Sequence, residues 1–387
     1  MGETHGKKAK RNVPALEGPD RRSTPLGLTQ FPRPRRPQVE TCGYSRRAPA
    51  GPADPGSQAL CRDTWGRGHW QQRQKDSNYL MATNRYNPWL HRYAIFVAIC
   101  TFLLIIAGAL VTGNDAGLSV PDWPTSFGSF RMPPMVGGVK FEHGHRMIAG
   151  VVGILTIILA LALWIKDSRR WVKWLGGAAV LAVLAQAALG GITVLFYLPV
   201  AISTSHATLA QVFFCLAASL AFFTRPGWRW DEPKLEDVST PSLQHLTVAT
   251  TGAIFVQLIL GAAYRHSGMG VEPHILGACV VTMLVAWVVT RIARKFSQQP
   301  ALLKPALLLG TLVMLQLSLG IGAYVVKMAD RNAPQPLPPV VNMTTAHVAV
   351  GALVLVTSLY LTYQTHRFLT PPAEAVKIAS APHRAAI

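Results

Sequence analysis

The chain has 387 residues, of which 50% are hydrophobic and only 14% charged, well under the roughly 25% charged share of ordinary soluble domains. Its formal net charge is +19, from 37 Lys and Arg against 18 Asp and Glu, a balance that taken alone would suit a nucleic-acid binder. The placement argues against that partner. Residues 1–80 hold 15 basic and 7 acidic residues, and the 22 basic and 11 acidic residues that follow sit between long uncharged apolar runs, where a phosphate-tracking surface has no room to form.

The leader, taken as 1–83, is rich in Pro and Arg and lacks Val, Ile or Leu periodicity, so it cannot bury enough surface to offset chain entropy and is expected to be disordered. It has no apolar segment of the secretory type, and its acids and prolines fit an amphipathic transit peptide poorly. Met81 opens MATNRYNPWLHRY directly before the first apolar run. The leader therefore reads either as a mis-called start or as a tail without catalytic consequence.

From Leu90 onward, eight apolar runs reach the ~20 residues that a membrane-crossing helix needs. Their expected spans are 90–112, 145–166, 171–194, 201–224, 243–265, 273–293, 303–326 and 344–366, the third and fourth separated by a short turn containing Pro199. The fold class is thus an all-α membrane protein. Basic residues in short loops set orientation. Arg85 and Arg92 before the first span, Lys166, Arg169, Arg170 and Lys173 after the second, and Arg291, Arg294, Lys295 and Lys304 after the sixth place both termini on the cytoplasmic side.

An internal repeat runs through the spans. Gln186-Ala-Ala-Leu-Gly190, Gln257-Leu-Ile-Leu-Gly261 and Gln316-Leu-Ser-Leu-Gly320 recur in the third, fifth and seventh, and the first keeps only Gly108. The even-numbered spans each carry a histidine near the outer end: His145, His206, His274 and His347. The pattern suggests two tandem four-helix bundles, an N-terminal one over 84–232 and a C-terminal one over 233–370, followed by a short tail over 371–387.

Ionisable residues inside a span are costly and usually functional. A single histidine there is more often a hydrogen-bonding residue that glues helices. Four at equivalent positions of a repeat point instead to metal or haem ligation, because two imidazoles from facing helices can hold a porphyrin between them. A small residue follows one turn after each, Ala149, Ala210, Ala278 and Gly351, on the same helix face, where a flat macrocycle would find clearance. Zinc fits less well, since most of the four lack a close acidic or thiol third ligand.

Glu142 precedes His145 by three residues and shares its helix face. Two readings stand: a proton acceptor or stabiliser of positive charge on a bound substrate, and a first-turn carboxylate complementing the helix dipole. Arg146 suits either a haem propionate or lipid headgroups. His143 points away from His145 and reads as a neighbour, and His91, His245, His266 and His366 read as loop or interfacial residues without a special role. The Gly-, Pro- and Asp-rich segment 112–125 is expected to turn tightly as a structural lid or a substrate-recognition loop, with Trp123 at the interface. The five cysteines form no evident pair, and neither a CxxCH, a Walker A nor a GxGxxG motif is present.

Gly-Asn-Asp-Ala-Gly-Leu-Ser-Val-Pro-Asp-Trp-Pro (113–124), Glu-His-Gly-His-Arg (142–146), His-Ala-Thr-Leu-Ala-Gln (206–211) and the duplicated histidine spans together resemble the haem A synthase family, over about 84 to 368. The resemblance implies an integral membrane oxidoreductase that converts the C8 methyl of haem O to a formyl group by successive hydroxylations, giving haem A for terminal oxidases. It implies that His145 and His206 belong to the substrate-haem half with Glu142 as a functional carboxylate, and that His274 and His347 ligate a haem b cofactor. Implied partners are haem O, haem O synthase, terminal oxidase assembly factors and membrane lipids, with a homo-oligomer as a further expectation. The short body of the chain looks bacterial, which implies the inner (plasma) membrane. Loop cysteine pairs found in some members are missing from 113–144 and 266–272, so no thiol step carries over. A bis-histidine cytochrome b-type electron carrier is the alternative reading, and a transporter is disfavoured by the lack of polar breaks near mid-membrane.

Overall fold

The computed structural model describes residues 87–228, 234–267 and 269–370; the expected leader (1–83) and tail (371–387) lie outside the described residues. Eight long helices follow in order: α1 (Pro88–Gly113), α2 (Val139–Lys166), α3 (Arg170–Leu195), α4 (Val200–Thr224), α5 (Leu243–Ser267), α6 (Glu272–Lys295), α7 (Pro300–Ala329) and α8 (Pro338–Phe368). All eight are long and apolar enough to cross a bilayer, and the protein is an all-α, multi-pass membrane protein. Two short strands, β1 (Leu235–Glu236) and β2 (Leu369–Thr370), pair in parallel at the helix ends away from the histidines.

Local chemistry sets the helix boundaries. Asn87 caps α1, its side chain accepting from the Trp89 and Leu90 N–H groups at 3.1 and 3.2 Å, with Pro88 in the first turn where no N–H is needed. Helices α2 and α8 begin several residues before their expected spans. The residues they add include Lys140, Glu142 and His143 in α2 and Pro338, Pro339 and Asn342 in α8, which dilute hydropathy without preventing a helix from starting there. Between α3 and α4, Tyr197 and Leu198 both take left-handed φ values, 56° and 60°, to reverse the chain within a few residues.

Several hydroxyls inside the spans are satisfied by their own helix, as suits a lipid environment. Thr101, Thr156, Ser219, Thr224 and Thr250 each return their hydroxyl to the carbonyl four residues back, at 2.6 to 2.8 Å. Pro305 interrupts α7 and leaves the Ala301 carbonyl without its usual N–H donor; Gln364 Nε2 on α8 reaches that oxygen at 3.4 Å.

Helix packing closes two rings. α1 packs on α2 and α4, and α3 on the same two; α5 packs on α6 and α8, and α7 on the same two. Each ring has its own core, centred on Val97, Leu159, Leu163 and Phe213 in the first, and on Leu243, Ile292, Leu302 and Leu309 in the second. The rings meet along α1–α8, α4–α5 and α4–α8, where Ile105, Phe214, Ala218, Ala352 and Val356 form a third buried cluster. Ala218 and Ala352 let the helices approach closely, and Ser219 Oγ and Tyr363 OH share a hydrogen bond of 2.9 Å beside them.

Candidate functional site

The four histidines sit in the first half of α2, α4, α6 and α8, all half-buried, and each faces a glycine on the helix before it. A Cβ built on Gly108 would stand 3.1 Å from His145 Cε1, on Gly190 3.2 Å from His206 Cε1, and on Gly261 and Gly320 2.9 Å from Cε1 of His274 and His347. Contacts that tight force a side chain or the imidazole to move. Each helix hairpin therefore builds the same contact, and the four recurring glycines are the hollows in which the rings lie. The Gln-x-x-Leu-Gly pattern was legible as a repeat, but this role of its last residue needs the packing to be seen.

The glutamine of the pattern holds the histidine's own backbone or ring. Gln186 Nε2 donates to the His206 carbonyl at 2.9 Å, and Gln257 Nε2 to the His274 carbonyl at 2.7 Å. Gln316 differs: its backbone carbonyl lies 3.2 Å from His347 Nδ1, and its side-chain Nε2 lies 3.3 Å from His347 Nε2. A proton on His347 Nδ1 suits the Gln316 carbonyl and leaves the Nε2 lone pair facing the Gln316 amide. At His274, by contrast, it is Nδ1 that faces Gln257 Nε2, at 3.0 Å. In α1 this register is filled by Leu104, so His145 has no such glutamine.

The structure brings the histidines together in pairs. The rings of His274 and His347 have centroids 6.2 Å apart with planes at 77°. Two imidazoles bonded to one ion through nitrogens at about 2 Å each would place their centroids about this far apart. His206 lies within electrostatic reach of His145, and the Nδ1 atoms of both are buried with no hydrogen-bond partner. Among the described residues no three His, Cys, Asp or Glu side chains gather as a metal cluster, so each pair offers two nitrogens, a donor set that fits an axially ligated haem. One sequence expectation needs correction here. The space beside Gly351 is no clearance for a macrocycle, because a Cβ there would meet Gln316 Nε2 at 3.1 Å and Leu258 at 3.3 Å.

The connection from α1 to α2 is clamped by Arg146. Its Nη1 donates to the carbonyls of Asp122 and Thr125 at 2.7 and 3.1 Å, and its Nη2 donates to the Val120 carbonyl at 3.0 Å and pairs with Glu142 Oε1 at 2.6 Å. Neither sequence reading of Arg146, propionate partner or lipid anchor, survives: both amino groups of the guanidinium bind the loop. Glu142 is only 4% exposed, and its other oxygen accepts from the Val120 N–H at 2.8 Å. Its bonded partners are thus the loop and Arg146, in addition to any role toward His145.

The loop has internal ties as well. Asp122 accepts from the Phe127 and Gly128 N–H groups at 2.7 and 2.9 Å and from the Thr125 hydroxyl. The Thr125 hydroxyl first, and then the Gly128 amide, pull the Asp122 carboxyl down to about 2. His143 Nδ1 meets Ser126 Oγ at 2.9 Å, which gives that histidine a loop-holding contact. Trp123 lies on α3: a Cβ on Gly191 would stand 2.7 Å from its indole. The loop is therefore laid across the end of α3, one residue from the glycine that receives His206.

Two residues near the sites went unread in the sequence. Arg265, at the end of α5, donates from Nη2 to the Ala109 carbonyl of α1 at 2.9 Å and lies within electrostatic reach of His347. Its neighbour His266 lies within electrostatic reach of His206. The available signal was an ionisable pair one turn past Gly261 within an otherwise apolar span.

These features define a class: an eight-helix protein whose helices are long and apolar enough to cross a membrane and whose histidines lie in pairs across helix hairpins. Comparison with known proteins agrees. Residues 139–273 match the family model described as a cytochrome oxidase assembly protein. The chain is 29% identical over 189 residues to "Heme A synthase" of Lysinibacillus sphaericus, covering 48% of this chain and 60% of the relative. It is 31% identical over 194 residues to "Heme A synthase" of Bacillus pumilus (49% and 63%), and 31% identical over 140 residues to that of Roseobacter denitrificans (32% and 35%). Over these stretches the chain is similar to haem A synthases. The matched stretch spans about 60% of the length of the first of these relatives.

Proposed function

We propose that this protein is a haem A synthase, oxidising the C8 methyl of haem O to a formyl group by successive hydroxylations and loss of water. The observation that carries the reading is the fourfold glycine–histidine contact, which sets two pairs of imidazoles at equivalent places in two helix rings. His145 and His206 hold the substrate haem O, and His274 and His347 hold a haem b. The haem b supplies reversible one-electron chemistry when bound. Division of the chain into an N-terminal substrate half (84–232) and a C-terminal cofactor half (233–370) follows from the same reading, supported by the two closed helix rings.

Glu142 and Arg146 act together in this reading. The loop amide of Val120 and the Arg146 guanidinium hold the Glu142 carboxyl in place near the start of the helix that bears His145. A fixed negative charge there stabilises positive charge developing on the substrate during oxidation. The loop with Trp123 on Gly191 keeps water from the outer side of the His206 pocket. Lys and Arg in the loops at the opposite helix ends support a topology with those ends, and both termini, on the cytoplasmic side of the inner membrane. Haem O synthase and terminal oxidase assembly factors are the partners that would supply the substrate and take the product, with a homo-oligomer as one assembly state.

The test is co-expression with a haem O synthase in a host lacking its own haem A synthase, followed by haem extraction and chromatography. Haem A, or a hydroxylated haem O, is the expected product. Haem O alone, with haem b bound to the purified protein, would replace this reading with that of a bis-histidine electron carrier.

A further inference from the structure

Arg265 is a cation with unused donors in an apolar span. A guanidinium offers five N–H donors, and among the described residues Arg265 spends one, on the Ala109 carbonyl. That bond caps the last turn of α1, where a cation also suits the helix dipole. It leaves the rest of the fork unpaired, because Asp115 is within electrostatic reach but forms no ion pair with it. A half-buried charge with one neutral acceptor is under-satisfied in lipid.

A second polar group lies beside it. A Cβ on Gly113 would stand 3.6 Å from Arg265 Nη2 and 3.7 Å from Thr345 Oγ1, so both atoms border the same small hollow. Thr345 Oγ1 is buried and has no hydrogen-bond partner. Thr345 is two residues before His347 on α8, and Arg265 is one turn beyond Gly261, against which His274 lies. The hollow is thus placed just outside the His274–His347 pair and between the two helix rings. The repeat adds a contrast: counting from Gly108 as from Gly261, the position of Arg265 falls in α1 on Thr112, whose hydroxyl returns to the Gly108 carbonyl at 3.3 Å. Only the C-terminal pair has a cation here.

We propose that Arg265, with Thr345, is a carboxylate-binding site that takes an ionised propionate arm of the haem held by His274 and His347. The inference rests on the haem-binding reading above. It also reassigns the role that the sequence had suggested for Arg146, whose amino groups are taken by the loop. An anion bonded by the guanidinium fork gains charge-assisted hydrogen bonds, and the cation in turn favours the ferrous over the ferric state of the haem.

The experiment uses the full chain, purified in detergent and loaded either with haem b or with haem b whose two propionates are methyl esters. Arg265→Gln is expected to weaken haem b retention by about tenfold, the scale of one lost charged hydrogen bond, and to lower the haem midpoint potential. Arg265→Lys should keep the potential near that of the parent. Thr345→Val should weaken retention by a smaller factor, and it keeps the test available if Arg265→Gln fails to fold. With the esterified haem, the parent and Arg265→Gln should not differ in retention. Equal retention of haem b in the parent and Arg265→Gln would overturn the carboxylate site while leaving haem binding intact, as would a retention difference of the same size that persists with the ester. A parent chain that takes up no haem would overturn the reading beneath it as well.

Discussion

Glycine against imidazole is the smallest unit of this structure with a consequence. At Gly320 the hypothetical Cβ already stands 2.9 Å from His347 Cε1, so a β-branched side chain cannot enter without turning the ring out of its place. Gly320→Val is expected to abolish bis-histidine haem absorption at the C-terminal pair while leaving His145 and His206 able to bind; absorption and magnetic spectra of the purified variant check this. Asp122 makes a prediction of the opposite kind, in which the structure persists across a wide pH range. Its folded carboxyl titrates at about 2 against an ordinary 3.8. The stabilisation this reports is therefore fully present above about pH 4 and is lost as pH falls toward 2. Amide hydrogen exchange at Phe127 and Gly128, corrected for intrinsic rates, should show constant protection from pH 7 to 4 and a loss of protection below it.

At the scale of elements, the α1–α2 loop is held by one side chain more than by any other. Arg146 ties three loop carbonyls to Glu142. Arg146→Ala removes those ties and leaves the Glu142 carboxylate buried without its cation, a loss on the order of 3 kcal/mol. The expected result is a lower melting temperature in detergent and faster protease cleavage within 120–135; unchanged cleavage would mean that Trp123 on Gly191 suffices to hold the loop. Helices α2 and α8 start six residues before their expected spans, and those added residues include Lys140, Glu142, His143 and Asn342. Hydropathy therefore found every span but started α2 and α8 late.

The whole molecule depends on how two rings meet. Ala352 is fully buried in the cluster of Ile105, Phe214, Ala218 and Val356, between α1, α4 and α8. Its small size sets the distance between rings. Ala352→Leu adds volume that neither ring can absorb and is expected to cost about 1–3 kcal/mol, seen as a lower melting temperature, with haem content per ring less affected than stability. Retained stability would indicate that the rings slide to accept the larger side chain. The same seam carries Arg265, so a change in ring spacing should also alter the environment of His347.

Much of this was written in the order of residues alone. Apolar run length determined eight spans, because a lipid core admits only helices of that length with their backbone satisfied. The repeat and the depth of its ionisable residues singled out His145, His206, His274 and His347 without any coordinates. The opening excess of positive charge, too, was readable as loop residues between spans. Contacts between residues far apart in sequence were not readable. That Gly108 receives His145, that Arg146 is consumed by a loop some twenty residues earlier, that Gln316 occupies the space beside Gly351, and that Arg265 reaches across to α1 all depend on which helix faces which. Spacing along one helix says which side chains share a face, and only the packing of eight helices decides what that face meets.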